Sequence, residues 1–219
     1  MVKAAVFDID GTLVSFKFDV QGTRAALLEE MAGRGFDTGN LGLTSPTQSI
    51  LDAAESQALS GKGLDFLAFR KKVFSVLDGF ELRTAPLTEA FPGSIEELEY
   101  LTSRGVRLAV LTNSGRVAAT EVLSKARMSD FFEFVLTRDE TETMKPRPDG
   151  LLKAVSMLRL PPESVCYVGD SPYDIMAARG ARVRVVSVAS GNYSKDRLKS
   201  EGADFAISSI SELRIVLGV

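Results

Sequence analysis

Two rhythms of apolar and polar positions divide the chain. Between residues 16 and 87 the apolar residues recur at steps of three and four: Phe66, Phe69, Val73 and Leu77 share one helical face, and Gly79 follows as the expected stop. Ser45-Pro46-Thr47-Gln48 announces another helix, with serine as N-cap, proline at the first helical position and glutamine placed for a capping box. No strand is predicted in this stretch. From Phe91 onward, helical periods alternate with short apolar runs. Ser94 and Glu97 form the capping-box pattern of a helix ending at Gly105, "VRLAVLT" reads as a strand, and a helix follows from Arg116 to Lys125. "FEFVLT", a helix over Leu151 to Leu158, "SVCYVGD", a helix over Tyr173 to Arg179 and "VRVVSV" continue the alternation. Such a succession implies right-handed crossovers and a parallel sheet covered by helices on both faces. The apolar run Ala4 to Phe7 belongs with these strands. The chain is therefore predicted as an α/β core of residues 1–15 and 88–219, interrupted by a helical insertion of residues 16–87.

Composition narrows the chemistry. With 219 residues, 45% hydrophobic and 25% charged, the chain can bury a core of one large or two smaller domains. A net charge of -3, with no basic run longer than Arg70-Lys71-Lys72, supplies no field for nucleic acid. The single cysteine, Cys166, cannot form an internal disulfide and reads as a core residue, as expected in a reducing compartment. Asp8 and Asp10 interrupt the N-terminal apolar stretch, and no apolar run is long enough to cross a bilayer, so a soluble cytoplasmic protein without a membrane partner is expected. The absence of histidine removes His general bases, Ser-His nucleophile pairs and most zinc sites. What remains is carboxylates, lysine, hydroxyls and hard metals.

Against that background the end of the first strand is odd. "AAVFDIDGTLV" runs from a segment built for burial into two aspartates one residue apart. Asp-Gly is a turn signal in its own right, and a plain turn is the ordinary reading. Residues two apart in a strand, however, point to the same side, and at an effective dielectric of ~20 two charges about 4 Å apart repel by roughly 4 kcal/mol. A turn gains nothing in return, so a cation is expected nearby.

Ligands of open parallel sheets bind beyond the carboxyl ends of the strands. Those ends carry Asp8 and Asp10; Thr112, Asn113, Ser114 and Gly115; and Gly169, Asp170 and Ser171, with Asp174 one helical turn further on. Lys145 lies in the proline-flanked loop "MKPRPDG". Each has an ordinary alternative: Thr112 a strand residue, Ser114 a helix cap, Lys145 a solvated lysine, Asp170 and Asp174 helix N-terminal charges. Together they make a carboxylate cluster, a hydroxyl and amide cradle and one ammonium along one sheet edge, which suits a phosphate and Mg²⁺.

"DIDGT", "LTNS", the lysine of "KPRP" and "VGDSPYD" occur in the order of the four motifs of the haloacid dehalogenase-like superfamily. They most resemble its phosphoglycolate phosphatase-like branch. The resemblance implies a Rossmann-like core with a small helical cap domain, here residues 16–87, and a Mg²⁺-dependent phosphatase acting on a small phosphorylated metabolite. It implies Asp8 as nucleophile and Asp10 as acid and base, with Lys145 also catalytic. Phosphate would be bound by Thr112, Asn113, Gly11 and Thr12. Mg²⁺ would be held by Asp8, Asp10 (through its backbone carbonyl) and Asp170, supported by Asp174 and Ser171.

Dehalogenases of this superfamily lack the second aspartate of the first motif, so Asp10 argues against halide chemistry. A phosphoglucomutase-like transferase would keep Asp8, Asp10 and Lys145, and a non-catalytic Mg²⁺ or phosphate sensor would keep the site; both stand as alternatives. Arg24, Arg34, Arg70, Lys71, Lys72 and Arg83 are candidates for reading the leaving group. The substrate, and whether the protein is a monomer or a homodimer, stay open.

Overall fold

The computed structural model describes residues 2–15, 17–61 and 63–218. The expected insertion boundary at Phe16 lies outside the described residues, as do Met1 and Val219. Among the described residues the strands form one six-stranded sheet of order β3-β2-β1-β4-β5-β6. They are β1 (Ala4–Phe7), β2 (Arg107–Leu111), β3 (Val135–Leu136), β4 (Val165–Gly169), β5 (Arg184–Val188) and β6 (Phe205–Ile207). Every pairing is parallel, with Phe7 opposite Val110 on one side and Val168 on the other.

β1 is buried throughout, and its alternation feeds two cores. Ala5 and Phe7 join Leu98, Leu101, Val110 and Val122 on one face, while Ala4 and Val6 join Leu151, Leu158, Tyr167 and Ile175 on the other. By the period of two, Asp8 continues the Val6 face and Ile9 the Phe7 face. Two-sided burial explains why the central strands read as unbroken apolar runs. The helices that cover the sheet are α4 (Ser94–Ser103), α5 (Arg116–Lys125), α6 (Asp149–Leu158), α7 (Pro172–Gly180), α8 (Lys195–Glu201) and α9 (Leu213–Leu217). β6, α8 and α9 lie beyond the elements expected from the sequence. Strands are added on one side of β1 up to β3 and on the other from β4, so a crevice opens at the carboxyl ends of β1 and β4.

The stretch between β1 and α4 is helical: α1 (Val20–Gly33), α2 (Thr47–Leu59) and α3 (Phe66–Thr84), with a single 3₁₀ turn at Ala85–Leu87. It has its own apolar cluster, in which Leu27, Met31, Ile50, Phe69, Val73 and Leu77 surround Met144 from the loop before α6. Among the described residues no helix is long and apolar enough to cross a membrane. Cys166 is buried, and burial pushes its thiol up to about 12, as suits a core residue.

Three local expectations need correction. α3 does not stop at Gly79 but runs five residues further, because Asp78 and Glu81 on either side of the glycine are both tied to Arg138. An interior glycine costs only about 1 kcal/mol against alanine, which such ties can offset. Pro46, not Ser45, is the N-cap of α2, and Gln48 makes no capping box. Its amide instead donates to Asp52 at 2.7 Å and accepts from the Met144 backbone N–H at 2.7 Å. Gly93, at φ +85°, caps α4 in place of Ser94. Ser94 donates to the Leu13 carbonyl at 2.9 Å, and buried Glu97 accepts from the Arg214 backbone N–H and Nε, both at 2.7 Å.

Candidate active site

The buried ammonium of Lys145 lies 2.9 Å from Asp8 Oδ1 and 2.7 Å from Asp174 Oδ1, and donates to the Tyr167 hydroxyl at 2.9 Å. The cation demanded by the charges ending β1 is therefore supplied in part from a loop 137 positions away. Burial draws the Lys145 ammonium down, but the charges of Asp174 and Asp8 outweigh it and hold the group above the usual lysine range. For Asp174 burial acts upward, and the charge and hydrogen bond of Lys145 win, keeping the carboxyl below its usual range. Asp8 has the opposite balance: burial, partly offset by Lys145, pushes it to about 7. Three clustered carboxyl groups, Asp8, Asp170 and Asp174, face this one ammonium.

Asp174 is held from every side. Tyr167 donates to Oδ1 at 3.0 Å, while the Ser171 N–H and hydroxyl donate to Oδ2 at 3.0 and 2.6 Å. With the Asp174 N–H returning to Ser171 Oγ at 3.4 Å, these close a capping box on α7, so the helix-cap reading of Asp174 and the site reading both describe it.

Asp10 is oriented by Ser114, whose hydroxyl donates to Oδ2 at 2.7 Å. Removal from water raises the Asp10 carboxyl, and the Ser114 hydrogen bond and Lys145 charge only moderate this. Ser114 is no helix cap: Gly115 is the N-cap of α5. Thr112 Oγ1 accepts from the Ser114 N–H at 3.1 Å, leaving its own hydroxyl proton to donate. The Asn113 side chain brackets the Lys145 backbone, donating to its carbonyl at 3.0 Å and accepting from its N–H at 2.9 Å. That commits the side-chain oxygen and one side-chain N–H of Asn113, while its backbone N–H has no partner among the described residues and can meet a ligand.

Gly11 and Thr12 form the turn after β1 and are absent from the lining of the cavity described below. The Gly11 N–H goes to the Val14 carbonyl at 2.8 Å and the Thr12 N–H to the Ile9 carbonyl at 3.2 Å, so both amides are spent in the turn. At φ +80° the position of Gly11 favours glycine, and Ser190 donates to its carbonyl at 2.6 Å.

Asp8, Asp170 and Asp174 offer carboxylate oxygens within 4.8 Å of one another. All are hard oxygen donors. Asp174 is saturated by Lys145, Tyr167 and Ser171, whereas no side-chain donor to Asp170 is found among the described residues. A Cβ built on Gly11 would lie 2.3 Å from Asp170 Oδ2, and one on Gly191 2.0 Å, so two glycines make room for this carboxylate. Burial, then the charges of Asp174 and Asp8, pushes Asp170 well above the usual carboxylate range. Crowded anionic oxygens with one free member fit a divalent cation such as Mg²⁺. The side chain of Asp10 stands apart from this trio, engaged with Ser114.

Above these groups lies a cavity of about 410 Å³. Asp8, Asp10, Thr112, Lys145 and Asp170 form its sheet side, and Gln21, Arg24, Thr47, Leu77 and Glu81 its helical side. Tyr167, Glu81 and Arg138 were not found from the sequence, and Ser114, placed in the cradle, was given no role toward Asp10. Ser114 was on view inside "LTNS", but Tyr167 sits in an apolar strand and reads as core.

A family model described as haloacid dehalogenase-like hydrolase matches residues 2–182. A protein of Caulobacter vibrioides named phosphoglycolate phosphatase is 30% identical over 209 residues, covering 94% of this chain and 87% of that one. One of Halalkalibacterium halodurans named pyrophosphatase PpaX is 25% identical over 218 residues, covering 100% and 98%. The solved structure of a hydrolase from Pseudomonas syringae superposes with a TM-score of 0.70 at 23% identity, over 99% of this chain and 98% of that one, a likeness of fold. With its acidic sheet edge, buried lysine and matched span of residues 2–182, the chain belongs to the haloacid dehalogenase-like hydrolase family, among relatives named as phosphatases.

Proposed function

We propose that this chain hydrolyses a small phosphorylated metabolite through an aspartyl-phosphate, as a phosphoglycolate phosphatase-like enzyme. The observation that carries the reading is the pairing of Asp8 with Lys145 at 2.9 Å beside an Asp10 held separately by Ser114 at 2.7 Å. Two neighbouring carboxylates with different partners can take different roles. Asp8 attacks phosphorus, forming the Asp8–phosphorus bond as the ester P–O bond breaks, and Asp10 gives its proton to the departing alkoxide. Water then attacks phosphorus, its proton passes to Asp10, and the bond to Asp8 breaks to release inorganic phosphate. The raised carboxyl of Asp10 suits the acid half of that cycle.

Lys145 offsets charge on the phosphoryl oxygens as Asp8 attacks, and the Thr112 hydroxyl and Asn113 backbone N–H donate to the same oxygens. Asp8, the Asp10 backbone carbonyl and Asp170 would hold Mg²⁺, with Asp174 and Ser171 orienting the groups behind them. When bound, the ion supplies positive charge against which the phosphoryl group and Asp8 can approach one another.

Residues 16–87 serve in this reading as a cap that closes the cavity over the leaving group and excludes water. Support comes from the separate apolar cluster of α1, α2 and α3 and from their share of the cavity wall. A small phosphorylated metabolite fits both the cavity of about 410 Å³ and the name of the Caulobacter vibrioides relative. The test is phosphate release from an aryl phosphate with Mg²⁺ present. Wild type is expected to turn over and Asp8→Asn to lose activity; an inactive wild type would sink the reading.

A further inference from the structure

Of the six cap cations considered as readers of the leaving group, Arg24 alone lines the cavity. Arg34 pairs with Glu30 at 2.5 Å, Arg70 lies over the Phe74 ring at 4.7 Å, and Arg83 lies over Phe80 at 4.5 Å. Lys71 and Lys72 are exposed on α3, outside the wall of the site. Arg24 is half-buried, and its guanidinium donates to the Thr47 hydroxyl. No carboxylate among the described residues pairs with it: burial draws its pKa down, and the group opposing this is the Tyr173 phenol. Glu81, the acid on the same helical wall, is already engaged by Arg138 and by the Gly115 N–H.

A cation withdrawn from water without a counterion is costly. Just as the carboxylates at the end of β1 require a cation, the half-buried guanidinium of Arg24 requires an anion. A guanidinium has five N–H donors in a planar fork, and one bond to Thr47 leaves enough for bidentate capture of a carboxylate or phosphoryl group. Thr44, Thr47 and Tyr173 surround that end of the cavity with hydroxyl groups, and Tyr173 donates to the Thr44 carbonyl at 3.3 Å, joining α7 to the loop before α2.

We propose that Arg24 is the specificity-determining residue and that the preferred substrate carries a second anionic group, carboxylate or phosphoryl, on a small leaving group. The proposal rests on the phosphatase reading above. It makes the cavity two-ended, with the transferred phosphoryl on Lys145 and the second anion on Arg24.

Three probes of similar size separate the sources of the second anion: 2-phosphoglycolate, ethane-1,2-diyl bisphosphate, and neutral-ended ethyl phosphate. With Mg²⁺, wild type should favour one or both anionic probes over ethyl phosphate by roughly ten- to a hundredfold in kcat/KM, the range of a charge-assisted hydrogen-bond pair. Arg24→Gln should bring that ratio towards one, and Arg24→Lys should restore part of it. A wild-type ratio near one, or a ratio unchanged in Arg24→Gln, overturns the assignment. Absence of turnover with all three probes and with an aryl phosphate overturns the phosphatase reading itself. Should Arg24→Gln fail to fold, wild type still decides: glycolate must inhibit aryl phosphate hydrolysis more strongly than ethylene glycol, and equal inhibition overturns the proposal.

Discussion

Glu81 on α3 and Arg138 just beyond β3 form an ion pair of 2.5 Å in which the arginine side chain is fully buried and the glutamate 11% exposed. The same guanidinium binds Asp78 and the Asn113 carbonyl at 3.0 Å, and the second Glu81 oxygen accepts from the Gly115 N–H at 3.0 Å. The helical segment is thereby fastened to the loop after β2, whose Asn113 grips Lys145. Breaking a buried pair costs about 3–5 kcal/mol when the remaining charge has no other partner, and Glu81→Gln leaves the buried guanidinium the half-exposed Asp78, so only part of that cost is expected. The urea midpoint should fall in Glu81→Gln, and less in Asp78→Asn, because Asp78 is 52% exposed and Glu81 11%. Equal midpoints for the two variants would show that Glu81 does not anchor α3.

The Asn113 side chain acts on Lys145 only through the backbone. Asn113→Ala frees a carbonyl and an N–H that now make hydrogen bonds of 3.0 and 2.9 Å, each costing about 1–3 kcal/mol if left unmade. The loop should relax and the ammonium lose its aim at Asp8. Since Lys145 is assigned to the attacking step, kcat is expected to fall roughly ten- to a hundredfold with KM little changed. A rise in KM alone would place Asn113 in ground-state binding.

The central strands and their crossover helices were legible in the sequence because β1, β2 and β4 are buried on both faces and leave apolar runs too short for helices, set between helical periods. What escaped was set by distant partners. Ser94 and Glu97 carry a valid local capping pattern, but the Leu13 carbonyl and Arg214, 81 and 117 positions away, claim their side chains. Gly79 looked like a stop because nothing local reveals Arg138, 60 positions from Asp78. In the site, charges at strand ends were conspicuous because burial makes an unpaired carboxylate expensive. Tyr167 was not, since a tyrosine inside an apolar strand is indistinguishable from core until Lys145 arrives beside its hydroxyl.

Gly191 offers a way to perturb Asp170 without removing it. A methyl group there would meet Oδ2 at 2.0 Å, and the backbone at this position is not in the left-handed region, so alanine should fold and displace the carboxylate. Mg²⁺ should raise the wild-type melting temperature, as any ligand of the native state does, and raise that of Gly191→Ala less at equal concentration. Activity should vanish in EDTA and return with Mg²⁺, while Ca²⁺, which takes a larger and looser shell, should inhibit. Identical Mg²⁺-induced shifts in the two proteins would remove Asp170 from the metal site.

The assignment of Asp8 as nucleophile has a test that needs no variant. Asp8→Asn is ambiguous, because it removes a nucleophile and a proposed metal ligand together. The stereochemistry at phosphorus is not ambiguous. Attack by Asp8 followed by attack of water makes two in-line displacements, each inverting the centre, so net configuration is retained. Direct attack by water makes one displacement and gives net inversion. A substrate made chiral at phosphorus with sulfur and oxygen isotopes, hydrolysed in isotopically labelled water, reports which occurs. Retention is expected, because Asp8 sits against Lys145 while Asp10, engaged with Ser114, is a separate group for moving protons. Inversion would remove Asp8 as nucleophile and leave the carboxylates only the task of holding the cation.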